Sequence, residues 1–351
     1  MNPKPRDIPY CGVDVEKLKQ AKPKINEEML RRYAFYQKER TKIYEKKEIL
    51  GLPSPWTKNP MLAKFKFTMT KRWLDRQSKN LIDNILNKDE VSYDNKLLNS
   101  FIFRMINRYD PLFSDFTKTG YFDFSKNLKD WYEDLNYARE EFSKNSEVIT
   151  LTSDAYILNS LMNYKRLDSE FLKSISEKES LKIDKILAII DFTYMNRDRI
   201  VAVSELDSPH KIVAGLCGFT GIQKFISYQI FSDWTYITEF PFSDKEFAEI
   251  GPGTERGLRL VFEDFDGLTL PESVFYLKDN LQNLCDDIGV EWDIEEWFHF
   301  LHPQQRYWGC GDICNSMCEF DKSQRIWTEE LQEINKRRVR KYSSQSKIQE
   351  W

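Results

Sequence analysis

From residue 26 to about residue 325, apolar side chains recur three and four residues apart, and alternating β-branched runs are scarce. A spacing near 3.6 buries one face of a helix, whereas a half-buried strand needs a period of two. The pattern therefore points to an all-α fold. The clearest stretch is 26–50 (NEEMLRRYAFYQKERTKIYEKKEIL), where Met29, Tyr33, Tyr36 and Ile43 share a face and Asn26 can cap the first turn. Gly51-Leu-Pro-Ser-Pro55 ends it, because each proline holds the preceding residue extended. Further helices are expected near 95–107, 127–143, 153–163, 165–176 and 180–196. Others should start at Gly251-Pro252-Gly253 and cover 293–301 and 309–322, while Val201-Ala202-Val203 is a short, isolated β-branched run. The expected organisation is a bilobed helical domain over 26–325, with an N-terminal tail at 1–25 and a basic tail at 326–351.

Neither a membrane span nor a secretion signal is legible: no run of about 18 apolar residues exists, and the N-terminus lacks an apolar core. A cytoplasmic protein is expected. Its six cysteines (Cys11, Cys217, Cys285, Cys310, Cys314 and Cys318) are then reduced thiols. The net charge of −4 is unevenly spread, with 21 Lys and Arg against 12 Asp and Glu in residues 1–90, and 31 against 44 in the rest. Local potential rather than total charge steers a polyanion, so the basic N-terminal quarter is compatible with a DNA-facing surface. A solvated Lys-rich helix would carry the same letters.

Several segments have chemical potential. In 215–233, Gly215, Gly218 and Gly221 allow a tight turn between helices, with the layout of a helix–hairpin–helix. The N–H groups opening the second helix can hold a DNA phosphate without reading sequence, with Lys224 adding charge. An ordinary interhelical corner has the same pattern. Gly251-Pro252-Gly253-Thr254-Glu255-Arg256-Gly257 opens another helix, where free amides and Arg256 suit an anion; a structural turn is the alternative. The absence of G-x-x-x-x-G-K-[ST] leaves P-loop nucleotide hydrolysis unsupported. Cys310, Cys314 and Cys318 form a stripe rather than a convergent ligand set, so no metal is expected. Cys318-Glu319-Phe320-Asp321-Lys322 gathers a thiol, two carboxylates and a cation, a general-base candidate or a solvated face. Tyr33, Tyr36, Trp56, Phe65, Phe67 and Trp73 are candidates to cradle an extruded base, or core residues.

In order, Tyr36-x-x-Glu39-Arg40, Gly51-Leu-Pro-Ser-Pro-Trp56-Thr57-Lys-Asn-Pro60, Phe65-Lys-Phe67-Thr68, Leu74-Asp75-Arg76 and Asp154-Ala155-Tyr156 form the first part of a family pattern. Gly221-Ile-Gln-Lys-Phe225-x-x-Tyr228-Gln229-x-x-x-Asp233, Gly251-Pro-Gly253-x-x-Arg256-Gly257-Leu258 and Cys318-Glu319-Phe320-Asp321-Lys322 complete it. Together they resemble the helical thymine-hypermodification proteins of bacteriophages: amino acid:DNA transferases and α-glutamyl/putrescinyl-thymine pyrophosphorylases. A related domain accompanies hydroxymethyluracil DNA kinases. The resemblance covers about residues 30–325.

It implies a fold related to helix–hairpin–helix DNA glycosylases. It also implies that the phosphate of a phosphorylated 5-hydroxymethyluracil in double-stranded DNA is replaced by an amine. The donor would be an amino acid or polyamine, a separate DNA kinase would supply the phosphorylated base, and no cofactor is called for. Fitted to this chemistry, Asp321, Glu319 or Asp75 would deprotonate the amine. Arg40, Arg72, Arg76 and Arg256 would hold the departing phosphate, with Gly251 and Gly253 offering amides to a substrate anion. Gly218, Gly221, Lys224 and Tyr228 would hold DNA. A further version has Cys318 adding to the pyrimidine ring. The rivals are a glycosylase, for which Asp233, Glu239 and Asp244 offer no clear catalytic equivalent, and a noncatalytic DNA-binding partner of a kinase.

Overall fold

The computed structural model describes residues 12–110, 112–145, 169–174 and 182–331. The expected helix at 153–163, the Asp154-Ala155-Tyr156 motif, half of 165–176 and the basic tail from Lys336 to Lys341 lie outside them. The chain divides into two compact units, one comprising Met1–Gly12 and Arg76–Phe247, the other Val13–Asp75 and Ala248–Trp351. The all-α expectation holds: among the described residues the only sheet is one two-stranded antiparallel ladder.

In chain order the helices are α1 (Val15–Gln20), α2 (Glu27–Tyr44), α3 (Pro60–Lys64), α4 (Arg76–Leu81) and α5 (Tyr93–Ile106). Then come α6 (Leu128–Asn145), α7 (Glu170–Ser174), α8 (Lys182–Met195), α9 (Arg197–Ser204) and α10 (Pro209–Cys217). The last five are α11 (Lys224–Trp234), α12 (Pro252–Val261), α13 (Leu270–Asp287), α14 (Ile294–Trp297) and α15 (Cys310–Leu331). Strand β1 (Lys24–Ile25) pairs with β2 (Phe262–Asp264), placing Lys24 opposite Asp264 and Ile25 opposite Phe262.

Local chemistry sets many boundaries. Asn26 caps α2 by accepting from the Met29 amide, Glu27 and Glu28 complement its N-terminus, and a π-type turn at Glu45–Ile49 follows it. Ser208 caps α10 ahead of Pro209, and Thr269 and Glu272 form a reciprocal capping box on α13. Three stretches gain detail that the sequence did not supply. Val201-Ala202-Val203 lies within α9, because neighbouring apolar helices override a short β-branched run. The acidic-aromatic stretch at 293–301 is helical only at Ile294–Trp297. Within the stretch expected as a tail, Asp14 caps α1 through the Glu16 and Lys17 amides, Leu18 is buried, and β1 follows.

In the first unit, α5 is the central helix: every residue from Asn95 to Ile106 is buried. Trp131 of α6 stacks on Tyr194 of α8 at 4.5 Å, and the Trp234 indole donates to the Leu97 carbonyl at 3.1 Å. In the second unit, α12 lies so close to α15 that a Cβ on Gly257 would meet the Met317 carbonyl oxygen at 2.3 Å. Tyr33 of α2 stacks on Trp292 and meets Phe320 of α15 edge-on, tying α2 to the same core.

Candidate functional site

Helix α15 carries Asp312, Asn315, Glu319 and Lys322 at intervals of three and four, so they share one face. That face grips the extended segment 67–72. Glu319 accepts the Thr68 amide at 2.9 Å, Asn315 donates to the carbonyls of Met69 (2.8 Å) and Thr70 (3.2 Å), and Asp312 accepts the Arg72 amide at 2.8 Å. Lys322 reaches Glu319 at 3.2 Å and lies over the Phe67 ring. Lys71 is completely buried, paired with Asp312 at 3.0 Å, bonded to the Tyr307 carbonyl, and set over the Tyr307 ring at 4.7 Å. A buried ammonium is tolerated only when paired in this way. The segment is thus fixed by side chains that contact its own backbone.

Against this segment stands a polar compartment on α2. Arg40 is 5% exposed, and Nη2 donates to the Phe67 carbonyl at 2.7 Å. Its Nε and Nη1 have no hydrogen-bond partner; neither does the buried Tyr36 hydroxyl, either end of the Gln37 amide, or the Thr70 hydroxyl. Burial first, and then the Glu319 carboxylate, push the Tyr36 hydroxyl well above its ordinary value, while Arg40 acts in the opposite sense. Tyr36, Arg40 and Glu319 are therefore electrostatic neighbours. Buried polar atoms left unpaired cost about 1–3 kcal/mol each, so a guanidinium with two bare donors is suited to an anion or ordered water.

Asp321 projects from α15 between two guanidinium groups. Its carboxylate accepts from Arg256 Nε at 2.9 Å and pairs with Arg325 Nη2 at 2.9 Å. The expected roles of acid and cation are thereby joined in one network, with Asp321 acting as a strut for Arg256 rather than as an uncommitted base. Arg256 keeps about half of its side chain exposed. Gly253 before it serves packing: a Cβ there would meet Cys318 Sγ at 2.2 Å, and the Thr254 hydroxyl donates to the Cys314 carbonyl. This close approach corrects the picture of Gly253 as an open anion cradle; Gly251 is the N-cap of α12. Burial, then the charges of Glu319 and Asp321, push the Cys318 thiol up to about 11. A protonated thiol facing Gly253 is a poor nucleophile, which removes the basis for ring addition by Cys318. Among the described residues no His, Cys, Asp and Glu group is arranged to hold a metal ion.

The remaining expected residues are dispersed. Arg72 is buried with its amide on Asp312, and Asp75 is half-buried at the turn before α4. Arg76 is exposed at the start of α4 and belongs to the first unit. Also in the first unit, α10 and α11 are joined by a turn in which Gly221 has φ +81° and Lys224 opens α11, exposed. Gly218 has an ordinary φ of −72°. Tyr228 is 3% exposed with its ring edge-on to Phe247, so it is a core residue rather than a DNA contact. Asp233 is fully buried and bidentate with Arg104, which also donates to Ser78 and Asn107. That closed network explains Asp233 without catalysis.

Tyr33, Tyr36, Phe65 and Phe67 prove to be core. The expectations lacked Gln37, Thr70, Asp312 and Arg325. A readable signal existed for the compartment, since Arg40 lies four residues after Tyr36 and seven after Tyr33, a charge on the apolar stripe. No such signal marks Gln37 or Thr70.

Comparison with known proteins agrees with the architecture. The family described as "5-hmdU DNA kinase, helical domain" matches residues 27–333. A 5-hmdU DNA kinase of Bacillus phage SP10 is 26% identical over 267 residues, 74% of this chain and 40% of that protein. The chain thus spans less than half the length of this curated relative. No solved structure matches it. With α2, the gripped segment, the turn between α10 and α11, and α15 all inside the matched range, the chain belongs to the family of 5-hmdU DNA kinase helical domains.

Proposed function

We propose that this protein is a DNA base-modifying transferase of thymine hypermodification, replacing the phosphate of a phosphorylated 5-hydroxymethyluracil with the amine of an amino acid or polyamine. Membership of a family named for 5-hmdU DNA kinases supports the DNA context. The observation that carries the chemistry is the buried Arg40 guanidinium, whose Nε and Nη1 are bare and which, like the Glu319 carboxylate, acts electrostatically on the Tyr36 hydroxyl. An amine attacking the 5-methylene carbon forms a C–N bond as the C–O bond to phosphate breaks, and the phosphate leaves with the electron pair. Preorganised N–H donors stabilise that departing charge better than water, because they need no reorientation. The incoming ammonium must lose a proton first. Glu319 takes that role, with Asp321 holding Arg256 toward a substrate or backbone phosphate. The exposed Gly221–Lys224 turn holds the duplex through its phosphates.

The test is mass analysis of nucleosides after incubating phosphomethyluracil DNA with the protein and a panel of amino acids and polyamines. An intact glycosidic bond with a heavier, amine-bearing base is the expected product. If no donor yields that nucleoside, the transferase reading falls; abasic sites would indicate a glycosylase instead. A second reading, a noncatalytic DNA-holding domain serving a separate kinase, is favoured by the engagement of Glu319 and Asp321 in structural bonds. It predicts DNA binding with unchanged nucleoside masses under every amine.

A further inference from the structure

On the second unit, α2, α3 and α15 border an open groove of about 310 Å³. Its walls include Arg31, Phe35, Tyr36, Met61, Leu62 and Trp327. Two aspects are unusual for a helical surface. Phe35 is 50% and Trp327 37% exposed, although Phe35 directly precedes the buried Tyr36. Moreover, among the described residues the lining includes Arg31 and Arg32 and no Asp or Glu, with Gln324 and Asn59 as its other polar residues. Arg32 is tied to Glu28 on its own helix and to Gln324 on α15. Aromatic faces combined with guanidinium groups complement a planar ring attached to an anion.

We infer that this groove seats one unpaired nucleotide of a DNA strand, its base against the exposed faces of Phe35 and Trp327 and its phosphodiester on Arg31. The volume lies at the lower end of small-ligand sites, the size of a single nucleotide rather than a duplex. Tyr36 connects the groove to the chemistry: it lines the groove, and its hydroxyl is buried near Arg40 and Glu319. An enzyme acting on a base inside a duplex must extrude it, and stacking on aromatic side chains offsets the lost base stacking. The inference takes from the proposed function only that DNA is the ligand; binding does not require turnover.

The experiment measures fluorescence anisotropy of the full chain with a labelled dT12 strand and with a duplex of equal length, without any amine. Phe35→Ala and Trp327→Ala are each expected to weaken dT12 binding about ten-fold, with Trp327→Phe restoring most of it, since stacking needs a π face rather than an indole. Arg31→Gln should weaken binding and lower the slope of log affinity against log salt by about one phosphate contact. Because these side chains are exposed, unchanged melting curves are expected for all the variants. Binding within two-fold of wild type in both alanine variants overturns the inference. So does a dimer in solution that Trp327→Ala dissociates, because a second copy would then occupy the groove. The two readings separate cleanly. If the alanine variants lose binding while wild type never yields an amine-bearing nucleoside, the groove stands and the transferase falls. If wild type yields it and the alanine variants both bind and turn over normally, the groove alone falls.

Discussion

Two buried arginines, one in each unit, show what burial of a charge can be for. Arg104 and Arg40 are each 5% exposed. Arg104 lies bidentate on Asp233, and its remaining donors reach Ser78 and Asn107, so its guanidinium is fully accounted for by the first unit's own side chains. Arg40 has one bond, to the Phe67 carbonyl, and two nitrogens, Nε and Nη1, without a partner. A closed network specifies a fold; an open one retains donors for a ligand, at a cost in stability. Arg104 is therefore accounted for by the architecture of the first unit, whereas Arg40 keeps donors that the second unit's own side chains do not use.

The comparison can be broken most decisively by removing the partners. Arg104→Ala strands the Asp233 carboxylate in the core and is expected to cost about 3–5 kcal/mol, read by urea denaturation. A loss under 1 kcal/mol would mean that Asp233 is satisfied otherwise, and the contrast with Arg40 would collapse. Arg40→Met is next. It leaves only the Phe67 carbonyl unpaired, about 1–2 kcal/mol of stability, while amine incorporation should drop roughly 100-fold. Stability loss matching that of Arg104→Ala, with turnover intact, would make Arg40 structural too.

A smaller effect sharpens the role of the glycine turn. Gly253→Ala pushes a methyl group against Cys318 Sγ, for a cost of about 1–3 kcal/mol, and Cys318→Ala in the same chain should recover most of it. Without recovery, the clash lies elsewhere. The smallest effect is expected of Cys318→Ser, which should turn over as wild type. With the thiol pushed up to about 11, Cys318 is protonated at pH 8 and should resist iodoacetamide in the folded chain. Rapid alkylation there would reinstate it as a nucleophile.

How much was legible follows the range of the interactions. The face of Met29, Tyr33, Tyr36 and Ile43, the Asn26 cap and the stop near Gly51 announced α2, because helix hydrogen bonds and capping act within a few residues. Local logic left Val201-Ala202-Val203 undecided, where packing rather than propensity decides, and it misled at Tyr228, whose place in the motif disguised a core contact with Phe247. Arg256 and Asp321 were each recognisable as chemically useful. That each would occupy the other was not readable, since they are 65 residues apart. Phe35 and Trp327 drew no notice because exposure is a property of the assembled surface.

The residue order by itself determined that this chain is helical, where α2 and α12 begin, and that cations concentrate toward its N-terminal quarter, all consequences of short-range geometry and composition. Only tertiary structure decided which buried charge is closed and which open. Arg104 finds Asp233 across 129 residues, and the segment containing Phe67 is held by an α15 some 250 residues further on. Pairing at such distances depends on how helices dock, and docking is set by the whole core rather than by any local pattern.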